Sequence, residues 1–316
     1  MTTSSPHPLS LSASPLLAWF ELIRLSIVRQ ARMRQMVWVA LGLLAVVVMF
    51  VGLNTYVDGW KLTNRRARPL PVSYRYALTR LSGADAAVGH SEPATSVYFA
   101  ILGSAWAALE HSAFLHFSQT VIFSIFLSFL LPLWTLSFAT DALGHERENR
   151  TMIWLFTRPL PRWSIYLAKW LSSLPWCLGM NLLGFAIICL AGGQAGMRAL
   201  AHYWPAVIWG TFAFAALFHL IAAIFRRPAI IGLIYAFFFE TLVADLPGDL
   251  KRMSLNYYVR SLMYEAVSNL NLDPESLTVY SPANAWTARA VLIGVVVLLN
   301  LLGMVLFSRK EFSEDV

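Results

Sequence analysis

The stretch ATDALGHERENRTMIWLFTRPLPRWSIYLAKW, residues 139–170, sets Asp141, Glu146, Arg147, Glu148, Arg150, Arg158, Arg162 and Lys169 between two long apolar runs. Charges in that number do not sit in hydrocarbon, so the stretch is read as a watery connection between two membrane spans. Its basic excess assigns that water to the cytoplasmic side.

Composition supports a membrane class. The 316 residues are 58% hydrophobic and 13% charged, whereas a soluble domain carries about 25% charge. The net charge of +7 does not point to nucleic acid, because the basic residues fall in short clusters beside apolar runs. Cys177 and Cys189 share one apolar run. Twelve residues of helix separate them by about 18 Å, too far for a disulfide. The N-terminal residues 1–15 lack a basic region before an apolar stretch and read as a disordered tail, not a secretory signal.

Six segments suit membrane-crossing helices of about 20 residues: 36–53, 119–139, 170–191, 203–225, 228–246 and 288–307. Segment 97–109 is too short to span; it is read as a surface segment, a packing element of the outer loop, or an outward extension of the second span. Pro132 and Pro175 fall inside spans, where neighbouring helices can tolerate them.

Orientation follows from Lys and Arg placement. Arg24, Arg29, Arg32 and Arg34 precede the first span; Arg147, Arg150, Arg158, Arg162 and Lys169 lie between the second and third. Arg226 and Arg227 hold the tight fourth–fifth turn, and Arg309 and Lys310 follow the sixth span. These thirteen of the 24 basic residues share one side, which places both termini in the cytoplasm. The C-terminal tail is 308–316, and the loops 54–118 and 247–287 fall outside. Residues 16–34 put Leu16, Phe20, Ile23, Ile27 and Val28 near one stripe, with Arg24, Arg29 and Arg32 largely away from it. That predicts an interfacial helix on the cytoplasmic leaflet. The aromatic residues of 247–287 suit a short helix at the outer headgroup level.

The fold class is therefore all-α integral membrane protein: six spans, an N-terminal interfacial helix, and an extracytoplasmic helical segment between the fifth and sixth.

The connection also carries a motif. Asp141, then Glu146-Arg147-Glu148-Asn149-Arg150-Thr151-Met152, then Pro159-Leu160-Pro161-Arg162, then Ala168-Lys169 resembles the pattern of the ABC-2 permeases, the membrane subunits of type-2 ABC transporters. That pattern is an acid after the second span, E-x-E-x-G-T-L, a short helix, P-x-S-R, and G-K opening the third span. The run GLIYAFFFETLVADLPGDLKRMS is similar to the branch linked with multicopper-enzyme maturation and drug or peptide resistance. Arg150, Pro161 and Ala168 depart from the pattern's Gly, Ser and Gly, and a side chain at position 150 makes a turn with positive φ costly.

The resemblance implies a coupling helix around 151–157 that docks on a separate ABC ATPase subunit. It implies a second permease copy, in a homodimer or heterodimer, within a bacterial inner membrane. ATP and Mg would be bound by the ATPase partner, with no cofactor in this chain. The function implied is that of an exporter permease. The residues themselves add that Glu148 and Thr151 are suited to capping a short helix. Met152, Trp154, Leu155 and Phe156 call for a covering partner or membrane surface. Glu146, Glu148, Thr151, Met152, Trp154 and Arg162 are the expected coupling residues. A rival reading is a non-transporting scaffold that acts through 54–118 and 247–287 on a periplasmic protein.

The sequence has no G-x-x-x-x-G-K-[ST], since none of Lys61, Lys169, Lys251 and Lys310 follows a Gly, so ATP binding in the P-loop manner is excluded. His145-Glu146 opens like H-E-x-x-H, but Asn149 occupies the second His position. No enzyme activity is expected of this chain.

Four polar residues fall inside spans. Glu240 and Asn181 come out at a similar depth, about 18 Å from the inner boundary, and His219 and Asn300 at about 10 Å. This predicts an outer polar layer of Glu240 with Asn181 and an inner one of His219 with Asn300. Glu240 is either a pathway group or a structural tie between helices.

Overall fold

The computed structural model describes residues 15–30, 34–57, 60, 110–148, 161–243, 249–268 and 282–309. Every regular element among them is helical. In chain order these are α1 (Pro15–Gln30), α2 (Arg34–Tyr56), a π-helical stretch Ser118–Leu130 leading into α3 (Leu131–Glu148), α4 (Arg162–Ala191) and α5 (Gly193–Ile224). Then come α6 (Pro228–Ile234), which continues as π-helical Tyr235–Val243, a 3-10 turn Asp249–Met253, α7 (Leu255–Ala266) and α8 (Ala285–Arg309).

Five helices among the described residues are long and apolar enough to cross a membrane: Val37–Tyr56, Glu110–Gly144, Arg162–Ala191, Gly193–Ile224 and Ala285–Arg309. The chain is thus an all-α membrane protein. The sixth apolar helix, Pro228–Glu240, is shorter. Even continued to Val243 it rises about 24 Å at most, below the ~30 Å of a hydrocarbon core.

Boundaries move for local reasons. The third span begins at Arg162 instead of 170 because Pro161 starts it, accepting from the amides of Ser164 (3.0 Å) and Ile165 (3.3 Å). Lys169 is therefore a helix-interior residue. The fourth span begins at Gly193 instead of 203. Gly192 and Gly193 make the whole joint with α4; Gly193 has φ +62°, a conformation that a Cβ penalises. Hydroxyl groups mark the change from π to α within the second span. Ser124 donates to the carbonyl five residues back, whereas Thr135, Ser137 and Thr140 each donate four back, matching the i→i+5 and i→i+4 ladders.

The chain divides into two compact units, one of Met1–Gly42, Leu127–Leu183 and Trp204–Val316, the other of Leu43–Phe126 and Gly184–Tyr203. The second unit is aromatic. Phe114 stacks on Tyr203 at 6.1 Å between ring centroids, Phe126 meets Phe185 at 5.0 Å, and Trp60 meets Phe117 edge-on at 5.4 Å. Phe117 fills the space that a Gly192 side chain would need. At the start of the second span, Glu110 pairs with Arg198.

In the first unit, Leu22, Leu143, Ile165, Tyr166, Ala168, Ala222, Ala223 and Phe307 form one buried cluster. These residues belong to α1, the end of α3, the start of α4, and the ends of α5 and α8. Helix α6 runs antiparallel to α3, with Pro228 against Gly144 and Gly232 against Leu136. Helix α7 is a core element. Its Val259, Ser261 and Met263 are fully buried, and Val259 packs on Gly210 near the middle of α5. The aromatic residues that suggested a headgroup-level helix include Tyr257 and Tyr264, both buried.

Candidate functional site

The connection between the second and third spans leaves α3 at Glu148 and returns at Arg162. Glu146 and Glu148 occupy the last turn of α3, and Arg162 is exposed at the first position of α4. Thr151, Met152 and Trp154, with the coupling helix expected at 151–157, lie outside the described residues.

What anchors the first half of α4 is α1. Trp19 Nε1 donates to the Ser164 carbonyl at 3.0 Å, Lys169 Nζ donates to Ser26 Oγ at 2.9 Å, and Trp176 Nε1 donates to the Ile27 carbonyl at 3.1 Å. The three contacts ascend both helices together, so α1 lies along the first half of α4 in the same direction. Trp19 also packs on the buried cluster beside Leu22 and Ile165. Burying the Lys169 ammonium is tolerable only because it is hydrogen-bonded.

The stripe of α1 used here differs from the expected one. Leu22, Ser26 and Gln30 are buried, whereas Phe20 and Val28 are exposed together with Leu17 and Leu25. Ser26 turns inward because α4 offers the Lys169 ammonium as its donor. The apolar members are left on the outer face, where a lipid surface can cover them.

The four intraspan polar residues have separate partners. Asn181 Nδ2 donates to Thr135 Oγ1 at 2.9 Å, tying α4 to α3. His219 is fully buried, with Nδ1 3.4 Å from the Ala139 carbonyl and its ring 4.7 Å from that of Tyr166. Asn300 Nδ2 donates to its own helix at Val296, 2.9 Å. Tyr166 links the inner pair. Its ring lies against His219 and its hydroxyl against Gly303, one turn from Asn300.

Glu240 is fully buried and bonded at both oxygens. Oε1 accepts from the Tyr235 hydroxyl at 2.7 Å and the Leu255 amide at 3.0 Å; Oε2 accepts from the Ser254 hydroxyl at 2.6 Å and the Asn256 amide at 3.0 Å. Ser254 is the N-cap of α7, and its oxygen in turn accepts from the Tyr257 amide at 3.4 Å. Three first-turn amides of α7 are thereby satisfied, and a carboxylate sits where a helix N-terminus favours negative charge. Tyr235 and Glu240 are five residues apart and meet because the backbone between them is π-helical. Glu240 and Asn181 thus hold different neighbours and do not bond to each other.

Sequence reading did not find Trp19, Ser26, Trp176, Tyr166, Tyr235 or Ser254. For Ser254 a weak signal existed, a serine just before a helical run, but the acid completing the cap comes from fourteen residues upstream and not from the helix itself. Among the described residues no group of three or more His, Cys, Asp or Glu is placed to hold a metal ion.

Residues 28–312 match the family model described as ABC-2 family transporter protein. No curated protein matches the chain.

Proposed function

The chain belongs to the ABC-2 family of transporter membrane proteins, and from that premise we propose that it is the permease subunit of an ATP-driven exporter in a bacterial inner membrane. A separate ABC ATPase hydrolyses ATP, and a second permease copy completes the pathway. The coupling group is Glu146, Glu148, Thr151, Met152, Trp154 and Arg162, at or near a helix around 151–157.

The observation carrying this reading is the buried cluster that joins α1 and one end each of α3, α4, α5 and α8 beside the departure of segment 149–160. The basic residues Arg24, Arg162, Arg226, Arg227 and Arg309 lie near those same helix ends. A push delivered to 149–160 meets α3 and α4 first, and α1 follows through its three side-chain hydrogen bonds to α4. ATP biases such a permease only through contacts that differ between the two states, and the coupling group is where those contacts would form.

The same cluster supports an even number of crossings. Helices α5 and α8 both end in it, so the chain between them must return to the far side. Pro228–Val243, antiparallel to α3, serves as a shortened fifth crossing, and both termini then face the cytoplasm. The test is purification in mild detergent with identification of what accompanies the chain. A nucleotide-hydrolysing subunit is expected; its absence from a stable, folded preparation contradicts the reading.

A further inference from the structure

Helix α6 and its π-helical continuation run between two places. At the start, Pro228 packs against Gly144, one turn before the segment proposed to receive the ATPase. Twelve residues and about 18 Å further on, Glu240 holds the N-terminus of α7 with three hydrogen bonds and is itself held by a fourth from Tyr235. Helix α7 in turn is packed inside the bundle on α5 and α8, with Val259 at Gly210.

We propose that Glu240 is a positioning residue for the transport cycle, a latch that makes α7 travel as one body with α6. The proposal rests on the exporter reading for its functional meaning and on the four bonds for its mechanics. Its basis is directional. A single hydrogen bond lets two helices pivot, whereas a carboxylate with two donors on each oxygen fixes both the distance and the orientation of the helix it caps. The donors are two backbone amides, the N-cap hydroxyl and Tyr235 of the same π-helical stretch, so no rotamer change in a single donor releases the cap. A displacement at Pro228 is then delivered to α7 without slack. Glu240 holds its helix and touches no transported molecule; in this role its charge is committed within the protein.

Glutamine at 240 keeps the length but presents an NH2 group to one pair of donors, so the Leu255 and Asn256 amides cannot both be satisfied. Two measurements test the latch. The first is amide hydrogen exchange on the full chain in nanodiscs. Glu240→Gln should speed exchange of amides 255–262 by about tenfold or more, with those of 162–176 unchanged. Tyr235→Phe removes one donor and leaves the carboxylate in place. It should give a smaller increase at the same amides, and it covers the case in which the glutamine variant does not fold. Unchanged exchange at 255–262 in a folded variant overturns the proposal.

The second measurement uses spin labels at Ile230 and Glu265, both on exposed positions, in the complex with its ATPase. The distance between them should stay constant between ATP-bound and nucleotide-free states in the unmodified latch and vary in Glu240→Gln. A change of about a helical turn, ~5 Å, with the latch intact overturns it. If no ATPase accompanies the chain, the exporter reading fails, and the exchange measurement still decides whether the latch exists.

Discussion

Lys169 donates a hydrogen bond to the hydroxyl of Ser26 at 2.9 Å across 143 residues of sequence. The pair makes α1 part of α4, and α4 is the helix that begins where the proposed coupling segment ends. Ser26→Ala deletes an acceptor of a buried ammonium and should cost about 1.5 kcal/mol. It should appear as a lower melting temperature in detergent micelles. Ser26→Ala and Lys169→Met together should cost less than the sum of the two, because they remove one shared bond.

Gly303 leaves room for Tyr166. A Cβ at position 303 would lie 2.1 Å from the Tyr166 hydroxyl oxygen and 2.2 Å from its ring carbon Cζ. Tyr166 cannot retreat, since His219 and Phe307 pack its ring. Gly303→Ala should therefore destabilise by about 1–3 kcal/mol. Adding Tyr166→Phe should recover only the part due to the hydroxyl, measured as a partial return of melting temperature.

The joint between α4 and α5 requires two glycines for different reasons. Gly193→Ala places a side chain at φ +62° and should cost about 1–2 kcal/mol. Gly196→Ala would put its Cβ 1.9 Å from the Cys189 carbonyl oxygen. Backbone cannot rotate away as a side chain does, so the second substitution should lower folded yield and melting temperature more than the first. Equal effects would contradict the joint described.

Cys177 and Cys189 are both fully buried and unbonded to each other. Neither should react with a maleimide in the folded protein, and both should react in denaturing detergent. Mass spectrometry of labelled protein checks this. The native thiols therefore should not interfere with cysteines introduced elsewhere.

Run length and composition were enough to read an all-α membrane protein with several apolar helices, because a bilayer imposes a length that local composition must meet. Arg162 and Lys169 hid where α4 begins, since a charge in an apolar sequence reads as water and Lys169 instead finds Ser26. The inward face of α1 was hidden for the same reason: Ser26 looks like a surface residue until α4 supplies Lys169 as its partner. Glu240 was recognised as a residue needing compensation, but its donors are set by a π-helical backbone and by a helix that begins fifteen residues later, neither of which periodicity reveals. The pairing of Asn181 with Thr135 spans 46 residues and likewise depends on how α3 and α4 pack.

The account rests on the segment between α3 and α4 meeting an ATPase on the cytoplasmic side. A cysteine introduced at Met152 or Trp154, cross-linked in native membranes, tests this most directly. The expected result is a covalent adduct with a nucleotide-hydrolysing subunit whose yield changes with ATP. A cysteine there that is labelled by a membrane-impermeant reagent from outside the cell, with no such adduct formed, would contradict it.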